Sequence, residues 1–191
     1  GRASKQAALA FLGRTYLAEN KWNEAAAVYK EIIDYGDNEL AADYSSLFIP
    51  KGENSRENIF SMQYIESLAG QSMPQHALPA KDGGWCIINV PASLFEAYEF
   101  TDGTSFSYDS PLYDPKDLGK NRDPRLRYTI LYNGAMFMGK SYGSHPDSAS
   151  SPDRVMGGQT TQTGFMMRKY FDETYKGNLQ EYGGNLPVIR Y

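Results

Sequence analysis

QAALAFLGRTYLAENKWNEAAAVYKEIIDYG, residues 6–36, is the stretch that decides the fold, because it contains two amphipathic segments separated by a short turn at 20–23. The apolar positions that recur at three- and four-residue steps are Leu9, Leu12, Tyr16 and Leu17 in the first segment, and Ala25, Val28, Tyr29, Ile32 and Ile33 in the second. This spacing predicts two α-helices that each turn one face toward a core. Trp22 is expected to cover the open end of the pair, and Gly36 to end the second helix as a C-cap. The pattern predicts a tetratricopeptide-like helical hairpin.

A hairpin of this kind, over residues 1–40, presents more apolar surface than it can bury alone, because such repeats are stabilised by stacking on neighbours. The rest of the sequence shows no second copy at the expected period. We therefore expect a mainly α (α+β) fold, in which the hairpin packs against an irregular, loop-rich portion with short strands over residues 41–191. A chain of 191 residues is long enough to form a single domain with a substantial core.

The composition favours a binding surface over a nucleic-acid partner. The net charge of -4 argues against the clustered Lys and Arg that nucleic acid requires. Fifteen tyrosines combine apolar faces with hydroxyl groups, which suits surfaces that grip flat, partly polar ligands. Cys86 is the single cysteine and lies between Trp85 and Ile87. We predict that it is a buried structural residue and not a catalytic thiol.

Neither end of the sequence has the features of a natural terminus. No apolar run reaches the ~18 residues that span a bilayer, and the start Gly-Arg-Ala-Ser has no signal-peptide pattern. The sequence begins at the edge of one helix and stops at Tyr191 without a terminating signal. We expect it to be a fragment of a longer protein.

The loop-rich portion alternates short elements with long loops. Strands are predicted at 58–64, 127–132 and 164–170, and a short helix at 91–100 that Pro91 opens. Long loops are predicted at 69–84, 108–118 and 143–163. Loops of this length serve either as binding elements or as connectors.

The motif at 121–126, NRDPRL, has a structural interpretation of its own. Asp123 and Pro124 are expected to open a helical turn. Arg122 and Arg125 are then free to pair with carboxylates or carbonyls. We predict a clamp that pins loops together, with ligand binding as the alternative.

Other chemical signatures in the sequence lack the context that their chemistry requires. Residues 134–141, GAMFMGKS, match the phosphate-loop pattern, but the residues that follow do not start the helix that such a loop requires. His76 and His145 have no further ligand at zinc spacing. The loop carboxylates Asp109, Asp114 and Asp117 lack the spacing of a calcium loop. No cofactor and no metal are predicted, whereas a pair of loop carboxylates suited to glycoside hydrolysis stays open.

Taken in order along the chain, the motifs resemble the central part of the SusD/RagB family of outer-membrane glycan-binding lipoproteins of Bacteroidetes. The matching segments are residues 7–36, 44–48, 57–60, 91–99 with Asp102 and Gly103, 121–126, 163–165 with 168–170, and 187–191. The resemblance implies a surface-exposed lipoprotein of the outer membrane, several hundred residues long, whose lipid anchor lies outside this sequence. It implies no catalysis. It also implies two partners, an oligosaccharide or other nutrient and a SusC-like TonB-dependent transporter.

A glycan site needs flat aromatic rings that stack on sugar C–H faces, together with polar groups that bind hydroxyls. Trp85 follows Asp82-Gly83-Gly84 and is the strongest candidate, with a core position as its alternative. Tyr108, Tyr113 and Tyr142 lie on other predicted loops and are expected either to extend the platform or to pack structurally.

Three classes of function therefore remain at this stage: a glycan-binding module, a hydrolase that uses loop carboxylates, and a helical scaffold for another protein. In the scaffold hypothesis the hairpin is the functional surface. Its exposed charged residues Lys21, Glu24, Lys30 and Glu31 then contact the transporter, or else form a solvated face.

Overall fold

The computed structural model describes residues 3–158 and 160–191. They form two compact units. The first consists of the residues up to Tyr64 together with Gly184–Tyr191, and the second of Ile65–Gly183. The predicted hairpin belongs to the first unit, and the single domain over residues 1–191 stays a prediction.

The chain is a mixture of two long helices, short helices, short strands and irregular segments, as the α+β prediction required. The helices are α1 (Lys5–Ala18), α2 (Trp22–Tyr35), α3 (Met73–Ala77), α4 (Ala92–Glu96) and α5 (Leu126–Thr129). The strands are β1 (Asn58–Met62), β2 (Ile130–Leu131), β3 (Met136–Phe137), β4 (Lys140–Ser141), β5 (Met166–Met167) and β6 (Leu186–Arg190). Short 3-10 turns cover Ser45–Phe48, Pro50–Gly52 and Ala80–Asp82. Among the described helices, none is both long enough and apolar enough to cross a bilayer.

Helices α1 and α2 form the predicted hairpin. The hydroxyl of Ser4 accepts a hydrogen bond of 3.1 Å from the Ala7 N–H and so caps the start of α1. Gly36 ends α2 in the left-handed conformation, with φ of 71°. A Cβ atom on Gly13 would lie 2.5 Å from the ring of Tyr29, so the two helices approach closely at this point. The hairpin prediction is confirmed, and its tetratricopeptide-like detail stays a prediction.

The face through which the helices meet agrees with the prediction only in part, because Ala25 and Ile32 are buried as predicted and other predicted residues are not. The buried hairpin residues are mostly small: Ala7, Ala10, Gly13, Ala25 and Ile32. Leu12, Leu17 and Ile33, all predicted to point inward, are exposed. Trp22, predicted to cover the open end, is 62% exposed. Apolar residues occur on every side of α1, so periodicity alone does not single out the buried face.

A two-stranded sheet completes the first unit. Strand β6 pairs antiparallel with β1, and Asn58 lies opposite Arg190, with an irregular register around Phe60. The Phe60 ring contacts Phe11 of α1 edge to face at 5.8 Å. Ile189 of β6 joins the core that the two helices share. Within this unit, β1 and β6 therefore cover part of the apolar surface of the hairpin.

The second unit is built around the pair β2 and β5 and a set of buried aromatic side chains. Leu131 of β2 lies opposite Met166 of β5. Cys86 is buried, and its Sγ lies 3.5 Å from the Met166 Sδ. Burial raises the pKa of the Cys86 thiol. The prediction of a buried structural cysteine is confirmed.

Three predicted elements of this unit need correction. Residues 69–84 are not one continuous loop, because they include α3 and a 3-10 turn. The helix predicted at 91–100 is limited to α4, and only the end of the strand predicted at 127–132 is extended, as β2. Residues 127–129 of that prediction belong to α5 instead, and in the turn that leads into this helix the Asp123 carboxylate accepts a hydrogen bond of 2.9 Å from the Arg125 N–H.

Candidate functional site

Trp85 lies on a segment whose backbone is held from both sides. Its N–H donates to the Gln75 carbonyl at 2.6 Å, and the Cys86 N–H donates to the Leu78 carbonyl at 3.1 Å. A Cβ atom on Gly84 would lie 2.1 Å from that same Leu78 oxygen, so only glycine fits before the tryptophan. The indole itself is 46% exposed. A large aromatic ring is thus half presented to solvent on a fixed backbone.

The buried side of this indole rests on His76. The two rings meet edge to face, with centroids 5.0 Å apart. The His76 Nδ1 lies 2.8 Å from the Ser72 carbonyl, a contact that requires a hydrogen on Nδ1. The N–H groups of Ile87 and Ile88 donate to the His76 carbonyl at 2.8 and 3.0 Å. Sequence reasoning considered His76 only as a zinc ligand, because its contact with Trp85 depends on the fold of α3.

Tyr108 and Tyr113 are brought together by the structure. Their ring centroids lie 5.4 Å apart, and both rings pack on Phe106, at 4.8 and 5.7 Å. The Tyr108 hydroxyl donates to the Glu96 Oε1 at 2.9 Å, and the side chain is exposed. Burial of the hydroxyl, with the Glu96 carboxylate beside it, raises the pKa of Tyr108. The pair forms an aromatic surface with a carboxylate at its edge.

Arg122 supports this pair through Phe106, the ring on which both tyrosines pack. Its guanidinium lies 3.9 Å from the centroid of Phe106 and 4.5 Å from that of Phe95. The Nη2 donates to the carbonyls of Phe95 and Tyr98 at 2.7 and 2.8 Å. The residue is 4% exposed, and burial lowers its pKa. The predicted clamp is therefore present, and its acceptors are carbonyls.

The structure contradicts a ligand-contacting position for Tyr142. Its backbone N–H donates to the Ala135 carbonyl at 2.8 Å, next to the hairpin of β3 and β4. The side chain turns into the core and is fully buried. Its hydroxyl has no hydrogen-bond partner among the described residues, and burial strongly raises its pKa. The prediction that Tyr142 extends an exposed platform is corrected, since a buried ring offers no surface to a glycan.

The β-hairpin of β3 and β4 contains most of the residues that match the phosphate-loop pattern, so this match does not mark a phosphate site. Residues 136–141 form β3, a tight turn and β4, and Met138 and Gly139 have positive φ values of 47° and 78°. No helix begins here to face a phosphate with its N-terminus. Within the described ranges, no group of three or more His, Cys, Asp or Glu side chains is arranged for a metal.

The loop carboxylates offer little to hydrolysis. Asp114 accepts a hydrogen bond of 3.0 Å from Lys120, which lowers the pKa of the Asp114 carboxyl. Asp153 has the opposite shift, because burial raises the pKa of its carboxyl. It contacts Lys81 at 3.4 Å, and its side chain is only 4% exposed. A glycosidic bond therefore has no access to the carboxyl whose pKa is raised.

Comparison with known proteins gives a consistent result. A model of the SusD family matches residues 51–191. A SusD-like protein of Formosa agariphila is 31% identical over 71 residues, which is 37% of this chain and 14% of that protein.

Two crystal structures from Bacteroides fragilis share the fold over 100% of this chain. A SusD-like carbohydrate binding protein is 52% identical with a TM-score of 0.93, and 38% of its chain is covered. A second SusD-like protein is 22% identical with a TM-score of 0.78, and 41% of its chain is covered. The chain thus spans less than half the length of each of these relatives. With the family model matched from residue 51 to residue 191, the chain belongs to the SusD family.

Proposed function

We propose that this protein binds an oligosaccharide at the outer surface of the cell without cleaving it. The observation that carries this proposal is the half-exposed indole of Trp85 on its fixed backbone. An aromatic ring that is already ordered loses little conformational entropy when a ligand stacks on it. The name of the 52% identical relative, a carbohydrate binding protein, supports the same ligand class.

The aromatic surface formed by Tyr108 and Tyr113 also suits a glycan, including its polar groups. Sugar rings combine apolar C–H faces with hydroxyl groups, so they need both rings and hydrogen-bonding groups. Tyr108 and Tyr113 supply the rings, and Glu96 supplies an acceptor at their edge. We include both surfaces in the proposed ligand site and exclude Tyr142.

Binding without catalysis is favoured over hydrolysis by the state of the carboxyl groups. A general acid needs a raised pKa and access to the scissile bond. Asp153 has the raised pKa but is buried beside Lys81. Asp114 is accessible but is held as a carboxylate by Lys120.

We further propose that the intact protein passes its ligand to a TonB-dependent transporter and is held at the outer membrane by a lipid anchor. Family membership supports this proposal. The hairpin charges considered as a docking surface form ion pairs with neighbouring side chains: Lys21 with Glu19, Lys30 with Asp34 and Glu31 with Lys5. Exposed pairs of this kind leave little net charge for a partner. Charge reversal at Lys21, Glu24, Lys30 and Glu31, followed by capture of the transporter, tests whether this surface takes part.

The ligand proposal is tested by affinity electrophoresis and calorimetry against plant, host and microbial polysaccharides. Retention of the protein without release of reducing ends is the expected result. Release of reducing ends identifies a hydrolase. Binding of peptides with no response to any glycan keeps a nutrient-binding function but contradicts the ligand class.

A further inference from the structure

A cleft of about 480 Å³ lies beside the connection between β2 and β3. Its volume falls in the range of about 300–1,000 Å³ that is typical of small-molecule sites. The residues that give it its chemistry are Asp117, Arg127, Tyr128, Tyr132, Met136 and Arg168. Trp85, Tyr108 and Tyr113 are not part of its lining, so it is distinct from the surfaces described above.

Arg127 is held in place while its charge stays available. Its carbonyl accepts a hydrogen bond of 3.0 Å from the Arg168 Nη1. Its guanidinium lies over the Tyr128 ring at 4.9 Å, and its Nη2 donates to the Tyr128 hydroxyl at 3.1 Å. Arg168 is different, because its Nε and Nη2 are bound to the Glu173 Oε1 at 2.7 and 2.6 Å. In the described part of the chain, no carboxylate forms an ion pair with Arg127.

Asp117 supplies acceptors on the same cleft. Its Oδ1 accepts a hydrogen bond of 3.2 Å from the Gly119 N–H, while its Oδ2 has no hydrogen bond to the described residues. Burial raises the pKa of Tyr132, and Asp117 raises it further, whereas Arg168 and Arg127 lower it. Charges of both signs therefore act at this one ring.

The balance of charge decides the class of ligand. The two arginines of the cleft are matched by Asp117 and by Glu173, which neutralises Arg168. An anionic ligand would be repelled by Asp117, and a cationic ligand would be repelled by Arg127. A pair of neighbouring hydroxyl groups suits both, because each hydroxyl donates one hydrogen bond and accepts others. Tyr128, whose side chain is partly buried, provides the apolar wall on which a sugar ring packs.

We propose that the cleft between Asp117 and Arg127 binds one residue of a neutral glycan through two neighbouring hydroxyl groups. This inference rests on the proposed function and adds a second point of contact to it. Arg127 donates to the hydroxyl oxygens, and Asp117 accepts from the hydroxyl hydrogens. The glycan then contacts the second unit at the cleft as well as at its exposed aromatic rings.

Met136 provides a local readout, because it lines the cleft and is 58% exposed. The intact protein is titrated by calorimetry with laminarihexaose, maltohexaose, cellohexaose, xylohexaose and mannohexaose. Each hexasaccharide that binds is then added at saturation, and oxidation of every methionine by dilute peroxide is followed by mass spectrometry. We expect Met136 to be protected severalfold. Met156, which is 81% exposed on another loop, is expected to react at an unchanged rate.

Arg127→Gln and Asp117→Asn are expected to weaken binding of the same hexasaccharide roughly tenfold each and to abolish protection of Met136. The matched controls are Arg154→Gln and Asp147→Asn, which alter exposed residues outside the cleft. Thermal melts establish that all four variants are folded.

Unchanged oxidation of Met136 under a hexasaccharide whose binding depends on Trp85 overturns this proposal and leaves the proposed function intact. If none of the five hexasaccharides binds, both this proposal and the proposed function are overturned for neutral glycans. Protection of Met136 by polygalacturonate, but by none of the neutral sugars, contradicts the assignment to a neutral residue.

Discussion

The guanidinium of Arg122 lies 3.9 Å from the centroid of the Phe106 ring, and this contact joins the NRDPRL motif to the aromatic surface. Phe106 in turn carries the rings of Tyr108 and Tyr113. Arg122 is buried, and two carbonyls accept hydrogen bonds from its Nη2. Arg122 therefore supports the candidate site from within the fold.

Arg122→Ala is expected to lower the free energy of unfolding by roughly 3 kcal/mol, because it removes the cation–π contacts and leaves two carbonyls without a charged donor. Arg125→Ala, in the same motif, changes an exposed ion pair with Asp123 and is expected to cost less than about 1 kcal/mol. Urea unfolding of both variants measures the difference. Equal losses would show that burial of Arg122 does not matter to the fold.

Tyr142→Phe is expected to raise the free energy of unfolding by about 1 kcal/mol, since it removes a buried hydroxyl that has no partner among the described residues. Tyr182→Phe is the matched control. The Tyr182 hydroxyl accepts a hydrogen bond of 3.0 Å from the Asp172 N–H, so its loss is expected to cost about 1 kcal/mol. Urea unfolding gives both values. A marked loss of stability in Tyr142→Phe would contradict the lack of a partner for its hydroxyl among the described residues, and an altered glycan affinity would contradict its assignment to the core.

Because the carboxyl of Asp153 is buried, we expect the stability of the fold to depend on pH. Burial, with Asp82 beside it, raises the pKa of its carboxyl, although Lys81 opposes the shift. A carboxyl whose pKa is higher in the folded state destabilises the fold as pH rises through the unfolded value, about 3.9. Below that pH both states are protonated and the effect vanishes. Wild type should therefore lose stability relative to Asp153→Asn as pH rises above about 4.

Urea unfolding at a series of pH values checks this sign, and Asp114→Asn serves as the control. The hydrogen bond from Lys120 lowers the pKa of Asp114, so wild type should gain stability relative to that variant as pH rises toward the unfolded value of about 3.9, and should keep that gain at higher pH. The same slope in both comparisons would contradict the assignment of Asp153 as a carboxyl destabilised by burial.

Local patterns predicted part of this fold. The spacing of apolar residues predicted the helical hairpin, Gly36 its end, and Arg122 a clamp. The same spacing did not identify the buried face of α1, because Leu12 and Leu17 share the helix with apolar residues on its other sides. Helix α3 has only five residues, which is too short for a helical period to be recognised.

The candidate site was predicted less completely, because it depends on contacts between distant segments. The exposure of Trp85 is fixed by backbone hydrogen bonds to Gln75, and its ring partner is His76. Tyr142 directly follows β4. Neighbouring residues of a strand point to opposite sides, and the sequence did not show which side faces the core. Tyr108 and Tyr113 meet only because both rings pack on Phe106.

The most direct test is glycan binding by Trp85→Ala beside Trp22→Ala, measured by calorimetry with stability followed in parallel. Trp85 is half exposed, so its loss is expected to cost about 2 kcal/mol of stability, less than the about 3–5 kcal/mol of a fully buried aromatic. Glycan affinity is expected to fall by roughly 1–3 kcal/mol in Trp85→Ala. Trp22→Ala, which removes an exposed tryptophan of the first unit, is expected to bind as wild type does. Wild-type affinity in folded Trp85→Ala would contradict the account.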